Sequence, residues 1–243
     1  MGTELRPLMP ASSSVPPAQD RHQETRVRAF AASAIALSLL LGMSLLLYTR
    51  YIDDDAFITF RYARQLAEGN GFVYNLGERV YGTTTPLFAI LLAGWFRISG
   101  NDLPVVAEII DLAAALGALI LLWLALRRTG ASPAQQVAAL VIVGTSTRLW
   151  YMNTQGMETP LVLLLMVSSW YAIIVERYLL AGFLAGLLLW ARIDSALWLL
   201  ALLPTLRGSR AGAVPRFALA AGITYLPWVV FATLYFGSPI PHT

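Results

Sequence analysis

Long apolar runs along the chain are separated by short segments that carry its charges. The mostly apolar runs fall at residues 29–48, 103–126, 134–147, 159–175, 178–190, 195–206 and 217–236. A helix of about 20 residues, at 1.5 Å per residue, crosses a hydrocarbon core about 30 Å thick. The pattern therefore predicts an all-α, polytopic membrane protein with about seven transmembrane helices, the shorter runs being tilted or broken.

The first 28 residues have a different composition. They contain Pro7, Pro10, Pro16 and Pro17, a run of serines and scattered charges. Such a segment buries too little apolar surface to offset its ordering entropy, so we expect residues 1–28 to be a disordered cytoplasmic tail. The run at 29–48 leads directly into charged residues without a small-residue cleavage site, which favours a retained signal anchor.

Composition supports a membrane location and excludes other classes. Hydrophobic residues make up 57% of the chain and charged residues 13%, which is too few charges to cover a soluble domain of this size. The net charge of +3 comes from arginine alone, since the sequence contains no lysine, and we expect no nucleic-acid partner. There is no cysteine, and His22 and His242 are too few to build a histidine metal centre.

The charges also predict an orientation. With the tail inside, all the connections on that side carry arginine: Arg26, Arg28, Arg127, Arg128, Arg177, Arg207, Arg210 and Arg216. The acids Asp53, Asp54, Asp55, Glu78, Asp102, Glu158 and Asp194 then lie outside, and the position of the arginines obeys the positive-inside rule. This partition holds if residues 86–96, which are too few to span comfortably, form an interfacial helix.

The connection at residues 50–102 is much longer than a usual loop, which indicates a functional role. Apolar residues recur at helical spacing after Asp55, and Asp53 or Asp54 can cap the helix they predict. The three adjacent carboxylates can hold a divalent cation, supply a general base or act only as a cap and solvated charge. The residues alone leave these alternatives open.

Three further polar segments are expected on the same side. The threonines around Thr84 precede Pro86, where a helix N-terminus can bind a phosphate or sugar, although ordinary capping explains them equally well. Glu158 stands at the predicted start of a helix, where the helix dipole favours an acid. Arg192 lies on the side where arginine is scarce, so it either binds an anion such as phosphate or pairs locally with Asp194.

Several segments together resemble a known family. The run from Asp54 to Arg64, with residues 69–75, 77–80 and 84–87, resembles the first extracytoplasmic loop of the C-type glycosyltransferase superfamily. Its bacterial cell-envelope branch, which includes the terminal arabinofuranosyltransferases, carries motifs similar to residues 156–161, 192–194 and 235–243. Here Ile193 stands in place of the branch's usual proline, His242 in place of its asparagine, and Asp53 adds a third acid.

The resemblance implies an activity and assigns residues to it. It implies inverting transfer of a sugar, a pentose such as arabinofuranose or a hexose, from a polyprenyl phosphate donor to an envelope glycan or lipid acceptor. It implies a multi-pass plasma-membrane protein with catalysis outside the cell. Asp54 and Asp55 match the catalytic acidic pair, with a divalent cation there as an option. The expected substrate contacts are Asp53, Arg61, Glu78, Thr84, Glu158, Arg192 and Asp194.

Other readings of the sequence remain open. A non-catalytic transporter or lipid-glycan scaffold could use the same acids, although transporters place ionisable groups within spans and show repeated halves. Members of the resembling family are usually longer, so we expect residues 29–243 to be a truncated glycosyltransferase-like domain. It would then be an inactive fragment or require a second polypeptide.

Overall fold

The computed structural model describes residues 18–48, 52–100 and 102–241, and every regular element in these ranges is a helix. The helices are α1 (Ala18–Tyr48), α2 (Asp54–Ala67), α3 (Pro86–Ser99), α4 (Leu103–Arg128), α5 (Pro133–Gly144), α6 (Thr147–Thr154), α7 (Thr159–Ile174), α8 (Tyr178–Ala191), α9 (Ala196–Arg207) and α10 (Ala213–Phe236), with a 3-10 turn at Ile193–Ser195 before α9. The predicted all-α class is confirmed.

The seven apolar runs all contain helices, and most bounds agree with the prediction within a few residues. By length and composition, two of the described helices, α4 and α10, could cross a membrane. The apolar helices α5, α7 and α8 are shorter, at 12, 16 and 14 residues. The count of seven spans, and the interfacial position of α3, therefore stay predictions.

The predicted disordered tail needs one correction. Helix α1 begins at Ala18, so residues 18–28 are helical. This stretch follows Pro17, the last proline of the tail, and contains Ala, Gln, Glu and Arg, which favour helices. Low apolar content does not exclude a helix here, because these residues extend the apolar helix that follows them. Extending a helix avoids the free-energy cost of nucleating a new one. Residues 1–17 lie outside the described ranges.

Four helices, α4, α7, α8 and α10, pack side by side in that order, and the α2–α3 pair packs against α4 and α8. The main core joins Phe60 of α2 and Phe88 of α3 to the start of α4 at Leu103, the start of α7 at Leu161 and the end of α8 at Leu188. This end of the bundle therefore brings together the segments in which the sequence places its acids.

The opposite end carries arginines at the ends of helices. Arg127 and Arg128 lie in the last turn of α4 and Arg207 in the last turn of α9. Arg210 forms an exposed ion pair with Glu176, with 2.9 Å between Nη2 and Oε2. The two ends of the described bundle thus differ in charge as the sequence predicts, while their sides of a membrane remain a prediction.

Helices α8 and α10 approach each other closely at two glycines. A Cβ atom on Gly186 would lie 2.5 Å from Thr224 Cβ and 2.8 Å from the carbonyl oxygen of Ala221, and one on Gly182 would overlap the carbonyl oxygen of Phe217. Small residues four apart are a recurrent device for close packing between membrane helices. The contact also positions Trp190, whose Nε1 donates to the Thr224 carbonyl oxygen at 2.9 Å.

We predict that Gly186→Ala destabilises the protein, because the added methyl separates α8 from α10. The matched control is Gly222→Ala, since a Cβ at Gly222 in α10 meets no atom within 4 Å. The control should be neutral or more stable by up to about 1 kcal/mol, the helix-propensity gain of alanine over glycine. Thermal unfolding in detergent measures both. Equal stability of the two variants would show that the close approach is not needed.

Candidate active site

The first turn of α2 presents the acidic pair. Asp53 is the N-cap, and its Oδ1 accepts a hydrogen bond of 3.2 Å from the Asp55 backbone N–H. Asp54 and Asp55 are exposed, and neither carboxylate has a hydrogen-bond or ion-pair partner among the described residues. Asp53 thus has a structural task, whereas the other two carboxylates are available for chemistry.

The beginning of α2 is attached to the turn that precedes α7. The Asp53 backbone N–H donates to the Gln155 carbonyl oxygen at 3.3 Å. Gly156 adopts a left-handed φ of +71°, and a Cβ atom there would lie 2.7 Å from the ring of Phe60. Only glycine permits both this backbone conformation and this contact. The turn therefore holds the acidic end of α2 next to Glu158.

Arg192 joins that turn to the end of α8. Its Nη1 donates to Glu158 Oε1 at 2.9 Å, while Nε and Nη2 donate to Asp194 Oδ1 and Oδ2 at 3.1 Å each. The Glu158 side chain is 1% exposed, that of Arg192 38% and that of Asp194 63%. The local pair that the sequence allowed is present, and a second, buried carboxylate shares the same guanidinium.

The electrostatics follow from this unequal burial. Burial raises the pKa of Glu158, and the charge and hydrogen bond of Arg192 oppose that shift. The pKa of Arg192 is raised, chiefly by its hydrogen bonds to Asp194, with a further contribution from the charge of Glu158. Arg192 is thus a permanent cation that compensates a carboxylate in a poorly solvated position.

Asp111 is a residue that the sequence reasoning missed. It lies on α4, is fully buried, and neither carboxylate oxygen has a hydrogen-bond partner among the described residues. It is close enough to Glu158 for the two carboxylates to interact electrostatically. Burying an acid in an apolar membrane helix costs free energy, and such acids are usually functional. The position of Asp111 within the apolar run at 103–126 could therefore have identified it as a candidate site residue.

An apolar cavity of about 480 Å³ opens beside Arg192. Its walls come from α7 and α9, including Val162, Met166 and Trp198, and Arg192 and Asp194 also line it. A neighbouring cavity of about 380 Å³ shares Val162 and Met166 and reaches Arg148. Together they form an apolar groove with a charged group at its end, which we call the Arg192 groove.

Arg61 and Glu78 form a separate group. Arg61 Nε donates to the Tyr74 carbonyl oxygen at 2.8 Å, and its Nη2 donates to Asn75 Oδ1 at 3.3 Å. Asn75 Nδ2 donates to Glu78 Oε2 at 3.1 Å. This network holds the loop between α2 and α3, and it makes no direct contact with Arg192 in the described structure.

Thr84 is exposed, but its two neighbours are buried. The hydroxyl of Thr85 lies 3.2 Å from that of Thr59 on α2 and 3.5 Å from that of Thr83. These threonines connect α2 to the start of α3. Substrate binding by Thr84 stays a prediction.

Metal binding also stays a prediction. Within the described ranges, no group of three or more His, Cys, Asp or Glu side chains is arranged to hold a metal ion. A cation on Asp54 and Asp55 would need further oxygen ligands from water or substrate.

Comparison with known proteins gives one informative match. The chain is similar to a terminal β-(1→2)-arabinofuranosyltransferase of Mycobacterium tuberculosis, with 30% identity over 193 residues, or 75% of this chain. The matched region covers 29% of that relative, so the chain spans less than a third of its length. No family model matches the chain. No solved structure matches it either. The similarity suggests a glycosyltransferase and agrees with the resemblance seen in the motifs.

We predict that Arg192→Ala destabilises the protein more at pH 8 than at pH 4. A raised folded-state pKa means that Glu158 contributes most stability below its unfolded pKa and loses that contribution as pH rises through the folded value. Without Arg192 the charged carboxylate is buried and unpaired. The extra loss at pH 8 should be about 1–2 kcal/mol, less than for a fully buried pair, because Arg192 is partly exposed.

Thermal unfolding of purified protein at both pH values, with wild type measured at each, tests this expectation. The variant Arg192→Ala/Glu158→Gln is the control, since a neutral amide at position 158 should remove the pH dependence of the defect. A defect of the same size at both pH values would contradict a role for Arg192 in compensating Glu158.

Proposed function

We propose that this chain is a multi-pass membrane glycosyltransferase domain that transfers a sugar from a polyprenyl phosphate donor to an envelope glycan or lipid acceptor. The sugar is a pentose such as arabinofuranose or a hexose, and transfer inverts the anomeric carbon. The observation that carries the proposal is the position of Arg192. It joins an apolar groove to the buried Glu158, and the turn before Glu158 is hydrogen-bonded to the start of α2, where Asp54 and Asp55 have no partner among the described residues.

The Arg192 groove has the chemistry of a lipid phosphate site. A guanidinium has five N–H donors, and three are used by Glu158 and Asp194, which leaves one each on Nη1 and Nη2. These two can bind phosphate oxygens while the carboxylates hold the group in place. The apolar walls between α7 and α9 suit an isoprenoid chain. Arg148 on the neighbouring cavity provides a second cation along the same groove.

The acidic pair supplies what the other substrate needs. Asp54 or Asp55 removes the proton from an acceptor hydroxyl as its oxygen attacks the anomeric carbon. The bond from that carbon to the phosphate oxygen breaks, and polyprenyl phosphate leaves with the electron pair. Phosphate is a good leaving group that needs charge stabilisation more than a proton, which is the role of Arg192. A single displacement from the opposite face inverts the configuration.

The proposed location follows from the same arrangement. Arg127, Arg128 and Arg207 lie at the end of the described bundle opposite the candidate site, which supports a plasma-membrane protein with a cytoplasmic N-terminus and an extracytoplasmic site. A divalent cation on the acidic pair and a second polypeptide that completes the domain are further parts of the proposal. EDTA inhibition and co-purification test them, respectively.

We predict that Asp54→Ala or Asp55→Ala lowers sugar transfer at least 100-fold, because the general base is lost. The assay uses membranes containing the full chain, a radiolabelled polyprenyl phosphate sugar and an envelope acceptor. Asp53→Ala is the control: it should reduce activity only a few-fold and cost about 1 kcal/mol of stability, as expected for an N-cap. Unchanged transfer in all three variants would reduce the acids to a solvated cap.

We predict that Arg192→Lys weakens binding of labelled polyprenyl phosphate in nanodiscs and that Arg192→Ala weakens it about ten- to a hundredfold. Lysine keeps the charge but loses the planar set of donors, and a charged hydrogen bond is worth about 1.5–3 kcal/mol. Arg210→Ala removes another ion-paired arginine, at the opposite end of the bundle, and should leave binding unchanged. Equal binding by wild type and Arg192→Ala would reject the phosphate role.

A further inference from the structure

A second cleft, which shares no lining residue with the Arg192 groove, lies beside α2. It has a volume of about 360 Å³ and lies between α2 and the loop that follows it. Its walls are formed by Ile58, Tyr62, Tyr74, Asn75, Glu78 and Val80. Pockets of this size, with an apolar lining and a few convergent polar groups, are typical of small-ligand sites. We call it the Tyr74 cleft.

Both walls of the Tyr74 cleft are fixed. The Tyr62 hydroxyl donates to the Val80 carbonyl oxygen at 2.6 Å and accepts from the Gly82 backbone N–H at 2.9 Å. On the other side, Arg61 holds the Tyr74 carbonyl and the Asn75 side chain and lies 4.9 Å from the centre of the Tyr74 ring. A ligand would therefore meet a preorganised surface and lose little binding energy to loop ordering.

The groups that remain available define the ligand. Glu78 uses Oε2 for Asn75, and its Oε1 has no partner among the described residues. The Tyr74 hydroxyl is likewise unpartnered within the described ranges. Ile58, Val80 and the Tyr62 ring supply apolar surface. This combination suits a saccharide, which presents C–H faces to aromatic and aliphatic side chains and hydroxyls to carboxylate and amide groups.

Other classes of ligand fit less well. The cleft is lined by the Glu78 carboxylate, and the nearby Arg61 guanidinium is engaged by Tyr74 and Asn75, so no lining residue offers a cation to a phosphate. A single carboxylate is also too few ligands for a divalent cation. The cleft thus differs in kind from the Arg192 groove, which has a cation and a long apolar wall.

Position connects the Tyr74 cleft to the proposed chemistry. Asp54 and Asp55 precede Ile58 by four and three residues, so they share one face of α2 with it, about 4.5–6 Å away along the helix axis. We propose that the Tyr74 cleft binds the acceptor saccharide and directs one of its hydroxyls to the acidic pair. This inference rests on the proposed function and adds the site and class of the second substrate.

Saturation-transfer difference NMR on the full chain in nanodiscs tests the inference. The probes are a methyl arabinofuranoside disaccharide and maltose as a hexose alternative. Wild type should bind at least one of them. Tyr74→Ala and Glu78→Ala should each weaken binding at least tenfold, and Tyr74→Phe, which keeps the ring, about threefold. Leu76→Ala changes an exposed residue of the same loop outside the cleft and should have no effect.

The outcomes separate this inference from the proposed function. Absence of saccharide binding to wild type, or equal binding by wild type and the Tyr74 and Glu78 variants, overturns the acceptor site. If polyprenyl phosphate binding still depends on Arg192 in those samples, the donor assignment stands by itself. If the saccharide binds through the cleft while wild type binds no polyprenyl phosphate, the donor assignment fails and the saccharide site stands. Unchanged saccharide binding in Arg192→Ala is the expected sign of two separate sites.

Discussion

The buried carboxylate of Glu158 is the constraint on which the arrangement of the site depends. A charged group that is almost completely removed from solvent needs a cation, and Arg192 at the end of α8 provides it. This pairing fixes the start of α7 against the end of α8. Since Asp53 is hydrogen-bonded to the turn just before Glu158, the same constraint also positions the acidic end of α2. Asp111, whose carboxylate oxygens have no hydrogen-bond partner in the described part of the chain, adds a second buried acid to this region.

Helix α2 separates two environments of different chemistry. Ala56, Phe60 and Ala63 face the core shared with α3, α4, α7 and α8. Ile58 and Tyr62 face the Tyr74 cleft, and the first turn carries Asp54 and Asp55. A short helix at the end of the bundle can thus carry reactive groups at its first turn while one of its faces packs in the core and another lines the Tyr74 cleft. Its position is set by packing on one face, which leaves the other face free for ligands.

Local features of the site were predictable from the sequence, and long-range ones were not. Helical periodicity after Asp55 and the capping preference of aspartate correctly predicted α2 and allowed Asp53 as its cap. The sequence could not decide between an ion pair and a ligand for Arg192, because the answer depended on Glu158, 34 residues away. The sequence also gave no reason to expect that Arg61 and Glu78 would lie in a different hydrogen-bond network from Arg192, Glu158 and Asp194. At residues 18–28 a local property was misleading, because composition suggested disorder where α1 is helical.

The hydrogen bond between Tyr81 and Trp228 has a consequence for the order of assembly. Trp228 Nε1 donates to the Tyr81 hydroxyl at 2.8 Å, across 147 residues of chain, and Phe236 stacks on the same tyrosine ring with centroids 4.9 Å apart. The loop after α2 is synthesised early, but its aromatic support comes from the end of α10. During biosynthesis the contacts of this loop with Trp228 and Phe236 can therefore form only after α10 has been synthesised. By contrast, the hydrogen bonds of Tyr62 to Val80 and Gly82 span 18 and 20 residues and involve no residue of α10.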